Sequence, residues 1–163
     1  MARTRAAFSV IEEESDIIHL EQINRSNWEH CIELKLKEEQ QAFMASNLYS
    51  IAELQFLPGF TAAAVYLENR VIGFAMYGVD PDDHNYWIYR FMIDETEQGK
   101  GYGTEAMKIL IGMIMNAVDR TDIIRIGYHP DNEGARRLYS RAGFQIEGIA
   151  HWGEELAAYH FNS

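Results

Sequence analysis

Gln98-Gly99-Lys100-Gly101-Tyr102-Gly103-Thr104 is the stretch around which the rest of the chain is organised. It lies between a β-patterned run that ends near Ile93 and a helical pattern that begins near Gly103. Glycines there let the backbone turn tightly, and the N–H groups at the start of the helix point outward from an end that carries partial positive charge. A strand, a glycine loop and a helix in that order form a cradle for an anion, a phosphate above all. The nucleotide P-loop is absent, because Gly-Lys is not followed by Ser or Thr at the required spacing. The dinucleotide fingerprint fails too: the third glycine is misplaced and no opening βαβ unit precedes the loop.

Downstream of the loop, Met107, Leu110, Ile111, Ile114 and Val118 recur at helical spacing and predict a long helix that buries one face. Ile123 to Tyr128 reads as a strand, and Asn132 to Ala142 as a helix with Ala135, Leu138, Tyr139 and Ala142 on one side. Two short strands close the chain. Upstream, Tyr86 to Ile93 is a strand rich in aromatic and β-branched residues, and the polar run Asp80 to Asn85 before it is a turn. Thr61 to Leu67 and Val71 to Val79 pair as a hairpin across Glu68-Asn69-Arg70. Ile17 to Ile23 alternates as a strand. Ser26 with Glu29 is a capping box for a helix that buries Trp28, Ile32 and Leu36; Ser50 with Glu53 is a second, for a short helix that Pro58-Gly59 ends. Strands followed by alternating helices and strands predict a mixed sheet covered by helices, an α/β architecture. Residues 1–16 are expected to be an extension without an assigned role, and 17–163 a single domain.

The segment Asn132-Glu133-Gly134-Ala135-Arg136-Arg137-Leu138-Tyr139, followed by Gly143-Phe144, adds a second motif to the first. Together they resemble the GNAT superfamily of acetyl-CoA-dependent N-acetyltransferases. In that family a Gln/Arg-x-x-Gly-x-Gly/Ala loop binds the CoA pyrophosphate, matched here by Gln98, Gly101 and Gly103. An Asn-x-x-Ala-x-x-Leu-Tyr helix completes the site, matched by Asn132, Ala135, Leu138 and Tyr139. The resemblance implies a mixed, mostly antiparallel seven-stranded sheet flanked by about four helices, with strands four and five splayed to admit the pantetheine arm. It also implies acetyl-CoA as cofactor, a homodimer, and Tyr139 as the general acid. Phe91, Met92 and Ile93, Gln98 to Thr104 (with Gly99, Lys100 and Tyr102), Asn132 and Ala135 are its cofactor-binding positions. Within the superfamily, Gly73-Phe74-Ala75-Met76-Tyr77-Gly78 and Arg90-Phe91-Met92-Ile93-Asp94-Glu95 look like the bacterial spermine/spermidine (diamine) acetyltransferases. That group often carries an acidic residue where this chain has Tyr89.

Composition agrees with a globular domain. The 163 residues suit one domain, and 47% hydrophobic residues suffice for a core. With 14 basic against 25 acidic residues the net charge is −11, which repels nucleic acid and attracts a small cationic amine, though acidity also serves solubility. Cys31 stands alone, so no intrachain disulfide forms, and its helical surroundings mark a packed thiol. No run approaches the ~20 apolar residues of a membrane span, and a cytoplasmic, membrane-free protein is expected. Six histidines without metal-ligand spacing predict no metal site.

Transfer to an amine needs a neutral nucleophile, donors for the developing oxyanion and an acid for the departing thiolate. Candidates for holding or deprotonating the amine are Glu33, Glu38, Glu53, Glu154 and Glu155, with Tyr89 as a relay and Tyr77, Trp87 and Trp152 as aromatic walls. No single base stands out. Acetylation of a protein N-terminus, lysine, amino acid or aminoglycoside, and a CoA-binding sensor without catalysis, remain alternatives.

Overall fold

The computed structural model describes residues 17–161; the N-terminal extension lies outside the described residues. The chain runs β1 (Ile18–Gln22), α1 (Trp28–Ile32), α2 (Asn47–Glu53), β2 (Phe60–Leu67), β3 (Arg70–Val79), β4 (Tyr86–Ile93), α3 (Tyr102–Met115), β5 (Ile123–Tyr128), α4 (Glu133–Ala142), β6 (Gln145–Ile149) and β7 (Glu155–His160). Short 3-10 turns occupy Glu38–Phe43, Leu54–Phe56 and Glu95–Glu97. The strands form one seven-stranded sheet in the order β1-β2-β3-β4-β5-β7-β6. Only β4 and β5 run parallel; the other neighbours are antiparallel.

The centre of the sheet is buried on both faces, while the edge strand β6 is exposed along its length. On one side Ile72, Ala75, Ile88, Phe91 and Ile93 pack beneath Leu110, Ile111 and Ile114 of α3 and Tyr139 and Ala142 of α4. On the other, Ala62, Ala64, Phe74, Met76 and Met92 pack against Cys31 of α1 and Ile51 of α2. Cys31 is fully buried and desolvation pushes its thiol up to about 12, as expected of a packed thiol. Two bulges set which side chain faces which layer. Ile72 has no partner on β2 and Tyr89 none on β3, and at each the alternation of faces reverses.

The helix starts differ from the capping boxes expected. The Asn24 side chain accepts from the Ser26 and Asn27 N–H groups, while buried Asn27 accepts from the Asn24 N–H and donates to the Gln22 carbonyl. Asn24 thereby takes the Ser26 N–H that the Glu29 carboxylate would have accepted from, and α1 ends at Ile32, short of Leu36. Trp28 is correspondingly 37% exposed rather than buried. The cap of α2 is Ser46, whose hydroxyl accepts from the Tyr49 N–H at 3.0 Å; Ser50 lies inside the helix and donates to the Ser46 carbonyl. Helix α3 stops at Met115, which leaves Val118 fully exposed. The hairpin turn is Glu68-Asn69 alone, with Arg70 already paired to Leu67 and Glu68 at φ 56°.

Two glycines make opposite predictions. A Cβ at Gly78 would lie 2.4 Å from the Gly59 carbonyl oxygen and 2.7 Å from the Phe60 Cα, both backbone atoms. Gly78→Ala should therefore destabilise by about 1–3 kcal/mol. A Cβ at Gly112, within α3, would meet nothing within 4 Å, and Gly112→Ala should stabilise by roughly 0.5–1 kcal/mol. Melting temperatures that move in opposite directions for the two variants check this.

Candidate active site

Strands β4 and β5 pair only from Tyr86↔Ile124 to Ile88↔Ile126, although both continue beyond. They part where the Tyr89 bulge turns β4 away, which is the splay expected between strands four and five. The opening joins three clefts. A groove of about 340 Å³ lies over Phe91, Met92, Ile93, Gln98, Gly99 and Gly101 and reaches Asn132, Ala135 and Tyr139. A gap of about 200 Å³ between the strands is lined by Tyr89, Phe91, Gly127, Tyr128, Tyr139 and Glu154. On the far side, a cavity of about 580 Å³ holds Glu53, Asp80, Asp82, Asp83, Trp87 and Trp152. Tyr139 borders the groove and the gap; Tyr89 and Glu154 border the gap and the cavity.

The groove is built to hold an anion. Gly99 and Gly101 have φ of 78° and 86°, values that β-carbon sterics oppose, and a Cβ at either would meet nothing within 4 Å. Their backbone is thus open to an incoming group. The first intrahelical bond of α3 runs from the Glu105 N–H to the Gly101 carbonyl, so the N–H groups of Tyr102, Gly103 and Thr104 point out of the helix end. Gly103 serves packing instead, since a Cβ there would lie 2.7 Å from Leu138 Cδ1 of α4. The Gln98 amide donates to the Ile93 carbonyl and pairs reciprocally with Gln40, fixing the loop to the end of β4. Arg137 and Arg141 add two cations to the groove. A pyrophosphate and an extended chain suit this charge and shape.

The side chains of two loop residues lie elsewhere. The Lys100 Nζ sits 3.3 Å from buried Glu97, which also binds Arg70, and the Tyr102 ring turns to the opposite side against Ile17, Leu67 and Arg70. Asn132 caps α4, its side chain accepting from the Ala135 N–H at 3.1 Å. Tyr139 is buried, against Tyr128 and Phe144 at ring separations of 5.5 and 6.0 Å. Burial first, and the Tyr128 and Glu154 charges after it, raise its hydroxyl above the ordinary phenol range, so it stays protonated.

The acceptor candidates divide. Glu53 reaches the cavity and ion-pairs with Arg90 at 3.0 Å, and Glu154 accepts from the Trp152 indole at 2.7 Å. Trp87 lines the cavity and donates to Asp83, which also accepts from Arg125 and from the Asn85 N–H. Glu33 and Glu38 are exposed and border none of the three clefts, and Tyr77 packs in the core beneath α3. Glu155 is held by Arg136 at 2.7 Å and Tyr128 at 2.6 Å, tying β7 to α4 and β5. Asp80, Asp82 and Asp83, which the sequence presents as turn formers, line the cavity. Their signal in the sequence was the unusual density of carboxylates in Asp80-Pro81-Asp82-Asp83, but composition does not say which way a turn faces.

The sequence profile of the acetyltransferase (GNAT) family matches residues 20–144. The chain is 30% identical over 137 residues to a spermine/spermidine N(1)-acetyltransferase of Bacillus subtilis (strain 168), covering 80% of this chain and 90% of that one. It is 29% identical, with the same coverage, to a probable spermine N(1)-acetyltransferase of Bacillus subtilis subsp. natto (strain BEST195). Among solved structures, aminoglycoside acetyltransferase AAC(6')-Ib with paromomycin and acetyl-CoA superposes with a TM-score of 0.73 at 20% identity, covering 90% of this chain and 94% of that one. The RimL ribosomal L7/L12 alpha-N-protein acetyltransferase with coenzyme A gives 0.73 at 16%, covering 89% and 94%. At such identities these two likenesses show the fold.

The Glu155 contacts predict an acid sensitivity. The Arg136 hydrogen bond, then that of Tyr128, holds the Glu155 carboxyl below its ordinary value. A depressed carboxylate contributes stability that is present above the unfolded pKa of about 4.3 and lost as pH falls through the native value. Glu155→Gln should therefore melt below the wild type at pH 7, and the difference should close when both are measured in acid beneath that pKa.

Proposed function

Since this chain belongs to the acetyltransferase (GNAT) family and is an N-acetyltransferase, we propose that it moves the acetyl group of acetyl-CoA onto a primary amine of a polyamine or diamine. One observation carries the choice of acceptor. The cavity beyond the gap sets five carboxylates, Glu53, Asp80, Asp82, Asp83 and Glu154, against two guanidiniums, Arg90 in its lining and Arg125 behind Asp83, with Trp87 and Trp152 as walls. A flexible polycation gains from such a field and from indole faces. The two Bacillus relatives, whose names specify spermine or spermidine, support the same reading. A homodimer and a cytoplasmic setting belong to the proposal as well.

Acetyl-CoA, when bound, supplies the thioester. The N-terminus of α3, Arg137 and Arg141 hold its phosphates. Beyond Ile88 the β4 backbone has no β5 partner, and its free N–H groups near Phe91 to Ile93 polarise the carbonyl where negative charge develops. Tyr139, kept protonated by its burial, donates to the sulfur as the thiolate leaves.

Thiol release from acetyl-CoA, measured with spermidine, spermine, putrescine, a lysine peptide and an aminoglycoside at two salt concentrations, tests the reading. Polyamines should turn over fastest, with KM rising in salt as the acidic cavity is screened. Turnover confined to another amine would discard the polyamine, and CoA binding without turnover would make this a sensor. Tyr139→Phe should lower kcat by about 10²–10⁴-fold with the CoA affinity unchanged; an undiminished kcat would remove Tyr139 from the mechanism.

A further inference from the structure

At Tyr89, β4 offers a phenol to the acidic cavity, and that phenol is not alone. The Tyr89 hydroxyl donates to Asp80 Oδ2, and the Tyr89 side chain stands between the gap and the acidic cavity. Asp80 is 9% exposed and has no cation at ion-pair distance among the described residues. Its Oδ1 caps the turn by accepting from the Asp82 N–H at 2.7 Å, which leaves Oδ2 to Tyr89. The other carboxylates of the cavity are engaged or exposed: Glu53 by Arg90, Asp83 by Trp87 and Arg125, Glu154 by Trp152, and Asp82 in solvent.

We infer that Tyr89 and Asp80 form a two-member proton relay that deprotonates the acceptor ammonium, with Tyr89 touching the amine and Asp80 acting through it. This rests on the acyl-transfer reading above. As the N–H bond of the ammonium breaks, an O–H bond forms on Tyr89 Oη, and the proton Tyr89 held passes to Asp80 Oδ2. The products are a neutral amine, a neutral tyrosine and a protonated Asp80, which returns its proton to water in the open cavity. The amine then attacks the thioester; Tyr139 gives its proton to the departing thiolate, and the second proton of the former ammonium, released from the attacking nitrogen through solvent, restores the Tyr139 hydroxyl. Burial, with the Asp80 contact behind it, holds the Tyr89 hydroxyl well above the ordinary phenol range, so the ring conducts a proton and is not a standing phenolate. The groups facing the pair are Asp82 and Asp83 from the turn, Glu53 and Arg90 across α2 and β4, and His151 and Glu154 from the β6–β7 turn.

The test uses the amine that the wild-type enzyme turns over fastest, with Tyr89→Phe, Asp80→Asn and the double variant. Each single variant should lose about 10²-fold or more in kcat/KM at pH 7 while KM for acetyl-CoA stays put. Because the two groups act in series, the double variant should lose no more than the worse single one. The deficit should shrink as pH rises toward the alkylamine pKa of about 10.4, where the substrate arrives already neutral. Asp80→Asn keeps the oxygen that caps the turn, and its melting temperature should stay near the wild type's. If it melts early, Tyr89→Phe carries the same pH signature without touching the turn. Wild-type kcat/KM and pH profile in Tyr89→Phe, or losses that multiply in the double variant, overturn the relay. A wild type inert toward every amine overturns acyl transfer and the relay with it, and that result appears before any variant is made.

Discussion

The sheet breaks its own ladder in the middle. After Ile88 and Ile126, β4 and β5 continue without pairing and draw apart, and backbone groups that a sheet ordinarily satisfies are left facing an opening. In a core strand that is costly unless water or a ligand answers those groups. Everything of chemical interest gathers around that break. The groove under α3 and α4 meets it from one side and the acidic cavity from the other, with Tyr139 and Tyr89 each at a junction. The Tyr89 bulge matters because one extra residue sends both Tyr89 and Arg90 toward the α2 layer, where Phe60 and Glu53 receive them.

Patterns that repeat along the chain were legible before any coordinates. The period-2 runs of β2 to β5, the helical face of α3 and the Gln98-to-Thr104 loop each follow from several residues agreeing with one another. Features that rest on one local competition were not. Glu29 and Asn24 both offer an oxygen to the Ser26 N–H, and Asn24 takes it in a turn closed by buried Asn27; at α2 the cap falls to Ser46, four residues ahead of Ser50. The site followed the same division. Its cofactor half is mostly backbone geometry dictated by glycines, which a sequence announces. Its acceptor half depends on which way the Asp80-to-Asn85 turn folds over β4, and on pairings such as Arg136 with Glu155 that take a carboxylate out of play.

A net charge of −11 describes neither half of the site. Arg137 and Arg141 make the cofactor side basic, while Asp80, Asp82, Asp83, Glu53 and Glu154 make the acceptor side acidic. The two fields flank the break in the sheet, so under the proposed function a polyanionic donor and a polycationic acceptor would each be drawn to their own side and repelled from the other. Composition reported only the sum.

Cys31, sealed between α1 and the sheet, has a consequence for how this protein can be watched. A thiol with no exposed surface and a pKa of about 12 supplies almost no thiolate to a disulfide reagent at neutral pH. In a colorimetric assay of released CoA, the folded enzyme is therefore silent and the signal is product alone. The same residue becomes a kinetic reporter once catalysis is set aside. It reacts only when the helical cover over Phe74 and Met76 lifts, so its slow labelling rate is a direct reading of how often that layer opens.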